Sequence, residues 1–121
     1  MARILFIDDD PMTLETLTNA VQIFGHQALQ ASTGQQALEL AAEQPPDLIF
    51  LDLSLVDIDS LALVGMLGSQ PATAAIPVLV LSAGPKLNRA DQARAAGARA
   101  YLSKPIHLQT LIDVIDQYTA Q

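Results

Sequence analysis

Acidic and polar residues stand where apolar runs stop. Ile4 to Ile7 is closed by Asp8-Asp9-Asp10, Leu48 to Leu51 by Asp52, and Val78 to Leu81 by Ser82, while Lys104-Pro105 follows a short run at Ala100 to Leu102. Short, wholly apolar runs suit strands buried on both faces. In open sheets of alternating strands and helices, ligands gather outside the carboxyl ends of the strands, so these residues are expected along one edge. Three carboxylates brought together there, Asp8, Asp9 and Asp52, repel one another and call for a cation. An oxygen-only donor set completed by water and a substrate phosphate suits Mg²⁺. With the Lys104 ammonium and the Ser82 hydroxyl beside it, the parts of a phosphoryl-transfer site are present, and a carboxylate can serve as nucleophile through an acyl phosphate.

The segments between the runs carry helical spacing. Leu14, Leu17, Val21 and Phe24 form one stripe, with Asp10 placed to cap it, Pro11 in the first turn and Gly25 at its end. Thr33 caps a second helix carrying Ala37, Leu38 and Ala41 and stopped by Pro45-Pro46. Asp59 caps a third with Leu61, Val64 and Leu67. Lys86 to Ala96, ended by Gly97, and Ile106 to Tyr118 supply two more, and Gln27 to Ala31 fills the second strand slot. The alternation reads as strand then helix five times. That predicts an α/β fold, (βα)5, with a doubly wound parallel five-stranded sheet.

Composition narrows the function. Thirteen acidic against six basic residues give a net charge of -7, which disfavours direct nucleic-acid binding, because such surfaces need clustered Lys and Arg. No cysteine is present, so thiol nucleophiles, disulfides and Cys-based zinc sites are excluded. The uncharged stretch from Ser60 to Pro85 is interrupted by Pro71, Pro77, Gly65, Gly68 and Ser69-Gln70, which argues against a membrane span. The start, Met1-Ala2-Arg3-Ile4, lacks a signal-peptide pattern, and 121 residues suit one domain, so a cytoplasmic domain over residues 1–121 is expected.

Three segments carry a resemblance. Ile4 to Pro11 (ILFIDDDP), Asp47 to Leu53 (DLIFLDL) and Ala96 to Pro105 (AGARAYLSKP) are similar to the response-regulator receiver family of two-component signalling, and together they span nearly the whole chain. The resemblance implies a flavodoxin-like sheet in the order 2-1-3-4-5. It implies Asp52 as phosphoacceptor, Asp9 as a direct Mg²⁺ ligand, Asp8 as a ligand acting mostly through water, and Ser54 as donor of a backbone carbonyl to the metal. Ser82 resembles the switch hydroxyl, Tyr101 the switch aromatic and Lys104 the phosphate-pairing lysine, with the Lys104-Pro105 bond cis. It further implies a histidine kinase or histidine phosphotransfer protein as donor. An output protein, or an output domain beyond Gln121, would respond to the surface of the fourth helix, fifth strand and fifth helix. The chain departs from the family in the loop after the acceptor, where Met-Pro-Gly-x-Asp-Gly is common and Leu55 to Ser60 reads LVDIDS. A loop of different shape and rigidity is expected there.

Several residues have simpler readings. Asp10 is expected to cap the first helix, Asp57 and Asp59 to serve as turn and cap, and His26 and His107 to face solvent. A phosphatase of the haloacid-dehalogenase type shares the Asp, Ser and Lys chemistry, but it places its nucleophile after the first strand in Asp-x-Asp, whereas Asp52-Leu53-Ser54 follows the third. The uncharged third helix, Ser60 to Ser69, is expected to leave at least one large apolar side chain exposed, so its face is expected to be a contact surface, with a phosphorylation-dependent homodimer as one form of contact.

Overall fold

The computed structural model describes residues 2–53, 55, 57–82 and 89–119, and of Arg89 the backbone alone. Five strands alternate with five helices: β1 (Arg3–Ile7), α1 (Pro11–Ile23), β2 (Gln27–Ala31), α2 (Gly34–Glu43), β3 (Leu48–Asp52), α3 (Ser60–Ser69), β4 (Val78–Ser82), α4 (Arg89–Ala96), β5 (Ala100–Ser103) and α5 (Leu108–Thr119). All pairings are parallel, and the sheet order is β2-β1-β3-β4-β5, the doubly wound, flavodoxin-like arrangement.

The period of two along each central strand divides the core. Leu5 and Ile7, Ile49 and Leu51, and Val78 and Val80 face one side, under α2, α3 and α4. Ile4 and Phe6, Leu48 and Phe50, and Leu79 and Leu81 face the other, under α1 and α5. The rings of Phe6 and Phe50, opposed in register, stack with centroids 5.5 Å apart. Burial on both faces is why these strands read as unbroken apolar runs, and it fixes their register, since a slip of one residue would exchange the two faces.

The helix starts follow their caps. Asp10 accepts from the Met12 N–H and the Thr13 hydroxyl, Thr33 from the Gln36 N–H, and Asp59 from the Ala62 N–H. Each satisfies a first-turn donor that the helix itself cannot. After α1 the chain reverses through Gly25 at φ +86°, a left-handed geometry that costs glycine little. The reversal brings His26 against the start of β1, where its Nδ1 accepts the Ala2 N–H at 3.1 Å. His26 is therefore half-buried and bonded, a correction to the solvent-facing expectation. His107 is exposed as expected, and its carbonyl takes the first bond of α5, so that helix opens at Leu108 rather than at Ile106. Ile106 instead packs on the α1/α5 side of the core. The expected start of the fourth helix at Lys86 lies outside the described residues.

In α3, Leu63, Val64 and Leu67 are buried and Met66 is 43% exposed, in keeping with the expected uncovered apolar side chain. The buried Thr73 hydroxyl closes the end of α3 by donating to the Leu67 carbonyl. Among the described residues, a Cβ at Gly65 or Gly68 would meet nothing within 4 Å, so neither glycine serves a close approach to them.

Candidate functional site

The carboxyl ends of β1, β3, β4 and β5 bring Asp8, Asp9, Asp52, Ser82 and Lys104 to one edge. Asp8 and Asp52 are 2% and 3% exposed, whereas Asp9 faces solvent. One carboxylate oxygen from each of these three residues lies within 4.8 Å of the others. This is the convergence expected from the strand ends.

Buried carboxylates need partners. One Asp8 oxygen accepts the Asp10 N–H at 3.0 Å, and the other accepts from Lys104 Nζ at 2.8 Å. Lys104 Nζ also pairs with Asp52 Oδ1 at 2.9 Å, so one ammonium bridges the two buried acids. Burial opposes the charge on Lys104, but the hydrogen bonds to Asp8 and Asp52, reinforced by the charge of both, hold the ammonium above the ordinary lysine value. The lysine is placed by β5: its N–H donates to the Ser82 carbonyl at 2.8 Å, in continuation of the Ser82–Ser103 register, and the following Lys104-Pro105 bond is cis, as the resemblance implied.

Two negative charges remain beyond what one ammonium balances, and all three donors are hard carboxylate oxygens. Such a set fits a small divalent cation and not a soft metal. Asp8, Asp9 and Asp52 are the residues that could hold it. Ser54, the fourth expected ligand, lies outside the described residues. Ser82 is buried at the end of β4, one strand from Asp52. Tyr101 is half-buried on β5, and among the described residues its shielded hydroxyl has no hydrogen-bond partner.

Beside Lys104, a groove of about 600 Å³ opens between α1 and the start of the β5–α5 connection, lined by Met12, Thr16, Leu17, Lys104, Pro105 and Ile106 among others. Met12 is 76% exposed on its rim.

Asp57 and Ser60 carry roles that residue-by-residue reading missed. Asp57 is not a simple turn residue: its two carboxylate oxygens accept the Gly34 and Gln35 N–H groups at the start of α2, at 2.9 and 3.2 Å. The first of these bonds is the main cause that holds its carboxyl below the ordinary value. Ser60 is 1% exposed, and its hydroxyl donates to the backbone carbonyl of Asp52 at 2.8 Å. The only sequence signal was that both stand in the loop that departs from the family pattern.

An acidic cluster bridged by a lysine at the strand ends of this fold defines a signalling receiver, and comparison with known proteins agrees. Residues 4–116 match the family model described as the response regulator receiver domain. The chain belongs to that family. It is 32% identical to protein PilH of Pseudomonas aeruginosa over 120 residues, 99% of each chain. It is 38% identical over 112 residues to the transcriptional regulatory protein KdpE of Mycobacterium tuberculosis, covering 93% of this chain and 48% of that one. A solved response regulator from Burkholderia pseudomallei, described with a phosphorylated aspartic acid, a calcium ion and citrate, superposes with a TM-score of 0.86 at 27% identity, over 99% of this chain and 68% of the other. Among the described residues, no helix is long and apolar enough to cross a membrane.

Proposed function

We propose that this receiver takes a phosphoryl group onto Asp52 from the phosphohistidine of a histidine kinase or phosphotransfer protein, with Mg²⁺ held by Asp8, Asp9, Asp52 and the Ser54 carbonyl. The observation that carries the reading is the buried Asp52 carboxylate, 2.9 Å from Lys104 and clustered with Asp8 and Asp9. An Asp52 oxygen attacks phosphorus, the bond from phosphorus to the donor imidazole breaks, and the imidazole leaves with the electron pair and is neutralised by a proton. The product is an acyl phosphate on Asp52. A bound Mg²⁺ would supply positive charge to the phosphoryl oxygens. Lys104 offers its ammonium to the same oxygens once it shifts from the carboxylates, and the Ser82 hydroxyl can donate to another. The groove rimmed by Met12 suits an apolar helical face of the donor protein beside the acceptor.

The same chemistry run with water returns Asp52 to its resting state. Ser82 and Tyr101 would carry the change to the face of α4, β5 and α5, as a shift between two populations. The partner on that face is an output protein or a further domain, and the uncharged face of α3, where Met66 is exposed, would serve a phosphorylation-dependent homodimer. A cytoplasmic location and one domain over residues 1–121 complete the proposal. The test is phosphate incorporation from acetyl phosphate with Mg²⁺. Wild type should be labelled and Asp52→Asn should not. Equal labelling of the two would remove Asp52 as acceptor.

A further inference from the structure

The peptide group joining Asp52 to Leu53 is held at both ends. Its N–H, on Leu53, donates to the Leu81 carbonyl at 3.0 Å. Its carbonyl, on Asp52, accepts the hydroxyl of Ser60, the first residue of α3. A serine in a first turn can usually hydrogen-bond within its own turn or to water. Here the buried hydroxyl reaches back to the residue proposed as acceptor, closing the intervening loop at its base.

The outer part of the loop is tied elsewhere. Among the first-turn donors of α2, the Thr33 side chain takes the Gln36 N–H, and the Asp57 carboxylate takes those of Gly34 and Gln35. The α2 start is thus satisfied by two side chains, one of them from the acceptor loop. Ile58 completes the clasp: its Cγ2 occupies the place where a Cβ on residue 34 would stand, so loop and helix meet only because residue 34 is glycine.

We infer that Ser60 and Asp57 are positioning residues for Asp52. Ser60 fixes the main chain from which the acceptor carboxylate projects, and Asp57 with Ile58 anchors the loop to α2. They stand at positions where the family pattern commonly has glycine, so side-chain hydrogen bonds do the work that a stiff Pro-Gly backbone would otherwise do. The inference rests on the acceptor reading above.

The experiment uses the full chain with Ser60→Ala, Asp57→Gly and Asp57→Asn. Amide exchange at Gly34 and Gln35 reports the clasp, amide shifts of Asp8 and Asp9 during Mg²⁺ titration report metal affinity, and labelling by acetyl phosphate at saturating and subsaturating donor reports rate. Supporting groups of this kind typically matter by 10- to 100-fold, so Ser60→Ala should weaken Mg²⁺ binding and slow the maximal rate about tenfold, at an unchanged half-saturating donor concentration. Asp57→Gly should speed exchange at Gly34 and Gln35 and slow labelling, with Asp57→Asn, which keeps one acceptor oxygen, in between. Variants that lose stability yet keep metal affinity and maximal rate within about twofold of wild type would reduce both residues to a structural role and overturn the inference. Asp57 is exposed, so should Ser60→Ala fail to fold, an unchanged rate in Asp57→Gly still overturns the clasp. A wild-type chain that takes no label at all would instead refute the acceptor reading, and this inference with it.

Discussion

Lys104→Met should destabilise the metal-free protein, whereas Asp52→Asn should not, although both remove one partner from the same ion pair. Methionine keeps most of the lysine stem along the groove and deletes the charge. What is left is Asp8 and Asp52, buried and without their shared cation. Two unit charges 4.8 Å apart repel by about 3.5 kcal/mol at an effective dielectric of about 20, and Asp8 and Asp52 each offer a carboxylate oxygen within that distance of the other. Removing one member of a buried charge pair typically costs about 3 to 5 kcal/mol, and the loss of two charge-assisted hydrogen bonds at 2.8 and 2.9 Å places Lys104→Met in that range. Asp52→Asn loses one such bond to Lys104, worth about 1.5 to 3 kcal/mol, but also relieves the repulsion of about 3.5 kcal/mol, so its net effect is about 0.5 to 2 kcal/mol stabilising.

Urea unfolding without divalent ions measures both variants. A loss of about 3 kcal/mol moves the midpoint by at least about 1 M at the slopes usual for small domains. Mg²⁺ at about a hundred times its Kd adds about 2.7 kcal/mol to any form that binds it, and at equal concentration it should stabilise Lys104→Met more than wild type, because no ammonium then competes for the carboxylates. A loss below about 1 kcal/mol for Lys104→Met, or an equal loss for Asp52→Asn, would show that carboxylate repulsion does not dominate the resting site.

Three further outcomes are expected. Tyr101→Phe removes a buried hydroxyl with no partner among the described residues, so thermal or urea unfolding should find it unchanged or up to about 1 kcal/mol more stable. Gly34→Ala drives a methyl into Ile58 and should cost about 2 kcal/mol by urea unfolding, part of it recovered when combined with Ile58→Ala. Because the Gly34 N–H holds the Asp57 carboxyl below its unfolded value, the Asp57 clasp contributes stability above that unfolded value and loses it as pH falls through the lower folded one. Protection of the Gly34 and Gln35 amides should therefore be flat through neutral pH and fall only in acid, and a loss near neutrality would point to a different titrating group.

The sheet was legible because its central strands are buried on both faces: each of β1, β3 and β4 appears as an apolar run with a polar residue closing it. The acidic site was legible for a related reason, since parallel strands deliver their carboxyl ends to one edge. Asp10, Thr33 and Asp59 could be assigned as caps because a cap acts within three residues of itself. His26, Asp57 and Ser60 could not be placed in the same way. Their partners, Ala2, Gly34 with Gln35, and the Asp52 carbonyl, lie 24, 23 with 22, and 8 residues away, and three of the four bonds end on backbone N–H groups, which every residue but proline possesses. Periodicity carries no information about a side chain that satisfies a distant peptide group.

The lysine that bridges the two buried acids of the resting site is also tied to the strands proposed to carry the signal. Its ammonium bridges Asp8 and Asp52, while its N–H hangs from the Ser82 carbonyl at the end of β4. On the acceptor reading, a phosphoryl group on Asp52 brings new negative oxygens to the side of the site where Lys104 and Ser82 meet. The ammonium cannot serve those oxygens and keep both present bonds at full strength, so it must leave at least one carboxylate, whose charge a divalent cation held by Asp8, Asp9 and Asp52 would balance. A long side chain can make that exchange alone, leaving the backbone still. A signal reaches the surface only if the Ser82 side chain moves too, because Ser82 opens the connection to α4 and pairs in register with Ser103 on β5. Phosphorylation should therefore separate two events that one amide spectrum can follow: the charge exchange, lost in Lys104→Met, and the displacement at β4 and β5, lost in Ser82→Ala with the charge exchange intact. If Ser82→Ala leaves the amide shifts of β5 and α5 on phosphorylation as large as in wild type, the lysine's own backbone bond carries the change and Ser82 is not the switch.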